Sequence, residues 1–379
     1  MRNVENTPLF LFGNGLSIAL SLDFSLKVIT EKFINQLSGI EKEFFEEICG
    51  GNSQINFDDF EVNFSVLEDA YNSLKKYRRF TDSVTGKIFL EKFNLIDPEL
   101  LKHEEIIKSL YEKYIFQILG IIHGNVTKQG IAEKLHNFTR FLKYQFENCK
   151  KGYVFTLNYD LLAEAILLED IGTENLTDFC SATHKFKGTE IDKFDFDPAL
   201  NDHKYGEDYT DANVELHHLH GSLSLFYDYS RNKAIKFKSE DIFFHDVYNR
   251  INKEKWTLAP SIITGGGKSL KMNEYPFEFY FRNLKELSTY GKYNKLFVVG
   301  YSFRDEHINE LIKRWMKSVE DYSKGLLIVD FKTNDSDKEN FKKFVRKKIR
   351  KNPPIPDLCF EFGGVNAIHD IEGTMAKEN

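Results

Sequence analysis

The sequence predicts an α/β fold: a parallel sheet with helices on both faces, and a helical lobe inserted after the first strand. Three observations carry this. First, short continuous apolar runs recur at Leu9–Phe12, Tyr153–Leu157, Leu296–Val299 and Leu326–Val329, a pattern that suits strands buried on both faces. Second, stretches of helical spacing separate these runs, as in folds that cover a parallel sheet. Third, a glycine or polar residue follows each run at once: Gly13, Asn158, Gly300 and Asp330, with His220 at the end of Val214–His220. In an open α/β sheet the ligand crevice lies outside the carboxyl ends of the strands. Five separate segments therefore aim their polar residues at one crevice.

Leu9-Phe10-Leu11-Phe12 reads as a buried strand closed by the tight turn Gly13-Asn14-Gly15. Residues 26–150 then carry helical periodicity. Phe33, Leu37 and Ile40 fall at helical spacing, as do Ile106, Leu110, Tyr114 and Leu119. Gly50-Gly51-Asn52 and the segment to Asp59 mark a loop, and Phe60–Leu74 resumes as helix. This stretch is expected to form a separate helical lobe, leaving residues 1–25 and 151–379 as the sheet domain. Residues 180–212 are polar and read as a long excursion. Val214–His220 is a short strand that ends in Gly221-Ser222. A helix is expected from about Glu306, and Leu358–Phe362 supplies a last strand.

The chain has 379 residues, 41% hydrophobic and 29% charged, an ordinary globular composition for which two structural units are the default. Most of its 35 phenylalanines are expected in the core. A net charge of −7 gives no global electrostatic reason to bind nucleic acid or an anionic membrane. Cys49, Cys149, Cys180 and Cys359 form no CxxC pair, so neither a cysteine zinc ribbon nor a disulfide framework is expected. The apolar run Leu9–Leu22 is interrupted by Gly13-Asn14-Gly15 and makes a poor leader. No stretch reaches the ~20 apolar residues of a transmembrane helix. The expectation is a cytoplasmic protein that does not engage membranes.

The candidate chemistry lies at the strand ends. Gly13-Asn14-Gly15-Leu16-Ser17 opens a helix, and its glycines would let backbone approach a pyrophosphate. Ile18 replaces the third glycine of a GxGxxG fingerprint, so a plain strand–helix turn reads equally well. In Thr156-Leu157-Asn158-Tyr159-Asp160, the Asn158 amide could orient a ribose hydroxyl and a water, while Asp160 could instead cap the next helix. His217 and His218 point to opposite faces, and His220, beside Gly221, is the candidate general base or else a buried core histidine. A metal site at these histidines lacks nearby acidic partners. Thr264-Gly265-Gly266-Gly267-Lys268-Ser269 imitates a phosphate-binding loop but has Ile262 where GxxxxGK[ST] needs glycine. His123-Gly124-Asn125 reads as a helix end. Lys332–Lys351 reads as a solvated basic helix with one packed face, or as a docking surface for an acidic partner or nucleic acid.

Taken in order, these motifs resemble the catalytic core of the sirtuins, whose NAD-binding domain is Rossmann-like. Gly13-Asn14-Gly15-Leu16-Ser17 is similar to the GAGxS segment, and Asp23-Phe24 stands where DFR falls, with Ser25 replacing the arginine. Thr156–Asp160 is similar to TQNID, His220-Gly221 to the HG motif, and Val299-Gly300-Tyr301-Ser302 to GTS. The wording Asn158-Tyr159-Asp160, Leu219-His220-Gly221 and Gly300-Tyr301-Ser302-Phe303-Arg304-Asp305-Glu306-His307-Ile308 is nearer to sirtuin-like NADases of bacterial antiphage defence. The resemblance implies NAD as substrate and no metal. Asn158, His220 and Asp160 would do the chemistry. Gly13, Asn14, Gly15, Ser17, Asp23, Phe24, Gly300, Ser302 and Asp330 would bind the dinucleotide, with the Gly13–Gly15 amides meeting the pyrophosphate. It further implies a homo-oligomer, in some relatives with a HerA-type ATPase. The absent zinc ribbon turns the expectation from protein deacylation toward NAD hydrolysis. A non-catalytic NAD- or ADP-ribose-binding subunit is the other alternative.

Overall fold

The computed structural model describes residues 6–50, 55–93, 98–123, 125, 128–172, 175–184, 200–203, 212–228, 233–237, 258–264, 271–349 and 353–371. A seven-stranded sheet organises the chain. Its strands are β1 (Pro8–Phe12), β2 (Gly152–Thr156), β3 (Leu176–Thr177), β6 (Val214–His218), β10 (Lys295–Val299), β11 (Leu326–Val329) and β12 (Phe360–Glu361). They lie in the order β12-β11-β10-β1-β2-β6-β3, and every pairing is parallel. The expected strands are thus present, with β3 and a short β12 at the edges.

Alternation along the strands assigns the two faces. Phe10, Phe12, Val154, Phe297 and Val299 face one core, and Leu9, Leu11, Phe155, Leu296 and Val298 face the other. The first core is covered by α8 (His136–Glu147), α9 (Leu162–Asp170) and the insert's helices α2 (Leu26–Gln36), α3 (Gly39–Ile48), α4 (Phe60–Asp82) and α6 (Pro98–His123). The second is covered by α10 (Phe277–Tyr290), α11 (Glu306–Ser318) and α12 (Asp335–Ile349). Phe10 shows how tightly the first core is built: its ring stacks on Phe297 at 4.6 Å and meets Phe141 and Phe146 at 6.2 and 5.3 Å. The insert's own aromatic cluster of Phe33, Phe45, Phe64 and Tyr114 is continuous with this core.

A second, antiparallel sheet departs from expectation. Its strands are β4 (Cys180–His184), β5 (Leu200–His203), β7 (Gly221–Asp228), β8 (Lys233–Phe237) and β9 (Leu258–Ile262), in the order β4-β5-β8-β7-β9. The polar excursion expected at 180–212 therefore contains two strands. Their polarity hid them, because a strand of an antiparallel sheet need not be apolar on both faces. The chain leaves one sheet and enters the other at Gly221, whose φ of +92° is open to glycine. A Cβ there would stand 2.0 Å from the Ser261 carbonyl oxygen.

The basic segment behaves as a packed surface helix. Val345 and Ile349 of α12 are buried, while Lys342 and Arg346 pair with Asp357 and Lys348 pairs with Glu306. α6 ends at His123, as expected. The Gly265–Ser269 portion of the glycine-rich segment, and Gly124, lie outside the described residues. Among the described residues no helix is long and apolar enough to cross a membrane.

Candidate active site

Strand register brings the candidate residues together. Val329, Val299, Phe12, Thr156 and His218 form one row across five neighbouring strands. The residues just beyond them, Asp330, Gly300, Gly13, Asn158 and His220, share one edge. β1 is the switch point: the chain runs from it to β2 and β6 on one side, then returns to β10 on the other. Crevices form at such points. Asn158 and His220 each lie two residues past the paired Thr156 and His218, and Leu219 donates its N–H to the Thr156 carbonyl at 2.9 Å.

At the switch point the backbones touch. A Cβ on Gly13 would stand 2.6 Å from the Gly300 oxygen, and one on Gly300 only 2.4 Å from the Leu16 nitrogen, with Gly300 already at φ +64°. The Gly13 and Gly15 N–H groups donate to the Val299 and Gly300 carbonyls at 2.9 and 2.8 Å. This revises the expected use of the turn. These glycines are required by contact between two loops, and their amides are engaged inside the chain rather than aimed at a phosphate.

Behind the turn lies a buried polar network. Ser17 Oγ donates to Asp160 Oδ2 at 2.6 Å, and Asn158 Nδ2 donates to Ser17 Oγ at 2.9 Å and to the Gly13 carbonyl at 3.1 Å. Asp160 Oδ1 accepts the Leu162 N–H at 2.9 Å, so Asp160, one residue ahead of the N-cap position Leu161, ties down the start of α9 as well as joining the network. Ser17, Asn158 and Asp160 are all buried. Burial pushes the Asp160 carboxyl above its ordinary range, against the opposing pull of the Ser17 hydroxyl. With both amide hydrogens of Asn158 engaged, its Oδ1 is the atom left to meet a ligand.

His220 lies just past β6 with Nε2 3.3 Å from Asp305 Oδ2, both side chains nearly buried. The Nε2–Oδ2 contact has ion-pair distance without hydrogen-bond alignment. Asp305 belongs to the Gly300–Ile308 motif but carries no role in the sequence reading: an acid just before a helix suits an N-cap, and it is one here, accepting from His307 N at 3.1 Å. The other two histidines have separate tasks. His217 stacks on Phe155 at 4.1 Å and reaches Glu215 at 3.2 Å. Its burial holds the imidazole below its ordinary value, despite Glu215. His218 lies 3.2 Å from Glu164 Oε1.

Glu164 centres a second network invisible in sequence. It accepts from Ser222 and Ser224 at 3.0 and 3.2 Å, and lies 3.0 Å from Lys236, which also pairs with Asp178. Burial alone would push the Lys236 ammonium down, but Asp178 and Glu164 reverse this and hold it high. Tyr159 makes a third link, its hydroxyl 2.7 Å from both Glu61 of α4 and the Ile263 carbonyl.

The remaining candidates are dispersed. Asn14 Nδ2 donates to the Phe24 carbonyl at 3.0 Å, and Phe24 is core. Asp23 is half-exposed and pairs with Lys32 at 2.9 Å. Ser302 is exposed on the Gly300–Asp305 loop. Asp330 accepts from Phe331 N at 2.7 Å and pairs with Lys332 at 2.8 Å. No described hydrogen bond joins Asp23 or Asp330 to the Ser17–Asn158–Asp160 network. Among the described residues no group of His, Cys, Asp and Glu is arranged to hold a metal ion.

A comparison with curated proteins returns no match. The family model of the SIR2-like domain matches residues 152–350, from the first residue of β2 to just past α12 and more than half of the chain. With its parallel sheet, its switch point at β1 and this match, the chain belongs to the SIR2-like domain family.

Proposed function

We propose that this chain binds NAD along the carboxyl edge of the seven-stranded sheet and hydrolyses the nicotinamide–ribose bond, releasing nicotinamide and ADP-ribose. The carrying observation is the convergence of the Ser17–Asn158–Asp160 network and His220 at adjoining strand ends beside the switch point. NAD supplies a leaving group that is already cationic, so the bond can break without a general acid. The ribose then passes through an oxocarbenium-like state, as in glycoside cleavage. Asn158 Oδ1 orients a ribose hydroxyl or the water. His220 accepts the proton that the water loses as its oxygen bonds to the anomeric carbon, while nicotinamide departs with the electron pair of the broken bond. General-base assistance of this kind contributes about 10²–10⁴-fold. Asp160 serves by fixing Ser17 and α9.

In this reading NAD depletion serves antiphage defence, carried out by a homo-oligomer in the cytoplasm with a HerA-type ATPase as partner. What supports it is the wording of the Asn158, His220 and Gly300 motifs together with family membership. The alternative reading is a subunit that binds NAD or ADP-ribose without cleaving it. Nicotinamide release by the purified chain, alone and with co-purified partners, separates the two. We expect release that His220→Ala lowers by about 10²-fold or more while NAD binding persists. NAD binding without release under every condition would mark a binding subunit. Formation of an O-acyl-ADP-ribose from an acetylated peptide would mark a deacylase.

A further inference from the structure

We infer that Asp305 is the positioning residue of His220: its carboxylate fixes the orientation and the tautomer of the imidazole. The inference rests on the reading of His220 as the base, but its test does not depend on turnover.

Asp305 is itself held from several sides. Its Oδ1 accepts the backbone N–H groups of His307 and Ile308 at 3.1 and 3.4 Å, and its carbonyl accepts the Tyr301 hydroxyl at 2.9 Å. Tyr301 also reaches Asn309 Oδ1 at 3.2 Å, and Asn309 Nδ2 donates to the Phe303 carbonyl at 3.0 Å. The loop bends through two left-handed residues, Gly300 at φ +64° and Phe303 at φ +56°. For a phenylalanine that conformation is strained, and here the surrounding structure imposes it, since the Phe303 ring is fully buried. The strained loop has a visible result. It delivers Oδ2 to within 3.3 Å of His220 Nε2, with side-chain exposures of 8% and 6%.

The carboxylate accepts and cannot donate, so the ring proton belongs on Nε2 and the lone pair on Nδ1. Nδ1 then takes the proton from water. Asp305 offsets the positive charge the ring acquires in doing so, as the third member of a catalytic triad does. The apo contact is not yet aligned as a hydrogen bond, and such contacts commonly tighten when substrate binds.

Asp305→Asn separates positioning from capping, because asparagine caps a helix as well as aspartate does. The imidazole ¹⁵N shifts of His220, assigned with His220→Gln, report the tautomer directly. We expect the Nε2–H form in the parent protein and loss or reversal of that preference in Asp305→Asn, with melting temperatures within about 3 °C. Where the parent cleaves NAD, kcat should fall about 100-fold or more with KM changed less than about threefold. An unchanged tautomer in Asp305→Asn, or an Nδ1–H parent ring, overturns the inference whether or not NAD is cleaved. A shifted tautomer in a parent that never cleaves NAD upholds the pair and sinks the hydrolase reading instead.

Discussion

Removing the Ser17 hydroxyl should cost more than its size suggests. Ser17 is fully buried, and its Oγ joins Asp160 Oδ2 at 2.6 Å to Asn158 Nδ2 at 2.9 Å. Ser17→Ala removes one hydrogen bond to a charged group, contributing about 1.5–3 kcal/mol, and one neutral bond, contributing about 0.5–1.5 kcal/mol. The expected loss is about 2–4 kcal/mol near pH 7. Asp160→Asn keeps an oxygen for the Leu162 N–H and removes the charge, so most of the first contribution should vanish in that background. A double-mutant cycle in urea at pH 7 should therefore give a Ser17–Asp160 coupling of about 1.5–3 kcal/mol. The pH dependence follows from the raised Asp160 carboxyl. A folded pKa above the unfolded one makes ionisation unfavourable to folding, and that loss develops as pH rises through the ordinary carboxylate value near 3.8 to the folded value. Asp160→Asn should therefore gain on the parent protein across that window as pH rises. A coupling below about 0.5 kcal/mol would show that the network contributes geometry but no stability, and the reasoning would fail.

Two further perturbations test the surroundings of the site. Lys236→Met leaves the buried Glu164 without its cation and unpairs the partly exposed Asp178, and chemical denaturation should show a loss of about 3–5 kcal/mol; a change under 1 kcal/mol would mean the network reorganises freely. His217 has a folded pKa below the ordinary 6.5, so its contribution is intact above that value and is lost as pH falls through 6.5 toward the folded value. His217→Phe should flatten the stability–pH curve below 6.5 while retaining a ring against Phe155, which urea midpoints at pH 5 and 7 would reveal.

The parallel sheet was legible because its strands are buried on both faces and announce themselves as unbroken apolar runs. The row of strand ends was legible for the same reason, which is why Gly13, Asn158, His220 and Gly300 could be picked out together. The antiparallel sheet was not. Leu200–His203 reads Leu-Asn-Asp-His, polar enough for a loop, and its pairing with Phe237, Lys236 and Ile235 depends on distant residues. Asp305 was hidden by its second occupation as a helix cap, and Glu164 by lying on a helix with no motif around it. Asp23 and Asp330 were picked out by position, yet their carboxylates pair locally, with Lys32 and Lys332. Short-range sequence cannot distinguish an acid that meets a ligand from one that meets the next lysine.

The central place of β1 in the sheet has a consequence for synthesis. β1 is made well before the partner on one side, β10, which lies far downstream; the Thr7 to Asn294 contact beside it spans 287 residues. At about 5–20 residues per second the ribosome needs roughly 15–60 s to cover that distance. During this interval Phe10 and Phe12 can shelter against the helices of the insert, which follow β1 directly. Leu9, Leu11 and the hydrogen-bonding edge destined for β10 wait for α10–α12 and β10, which are made much later. A nascent chain released early would present a bare apolar strand edge, a ready template for aggregation. Truncation ahead of β10 should thus leave that edge bare and sharply reduce recovery of soluble protein.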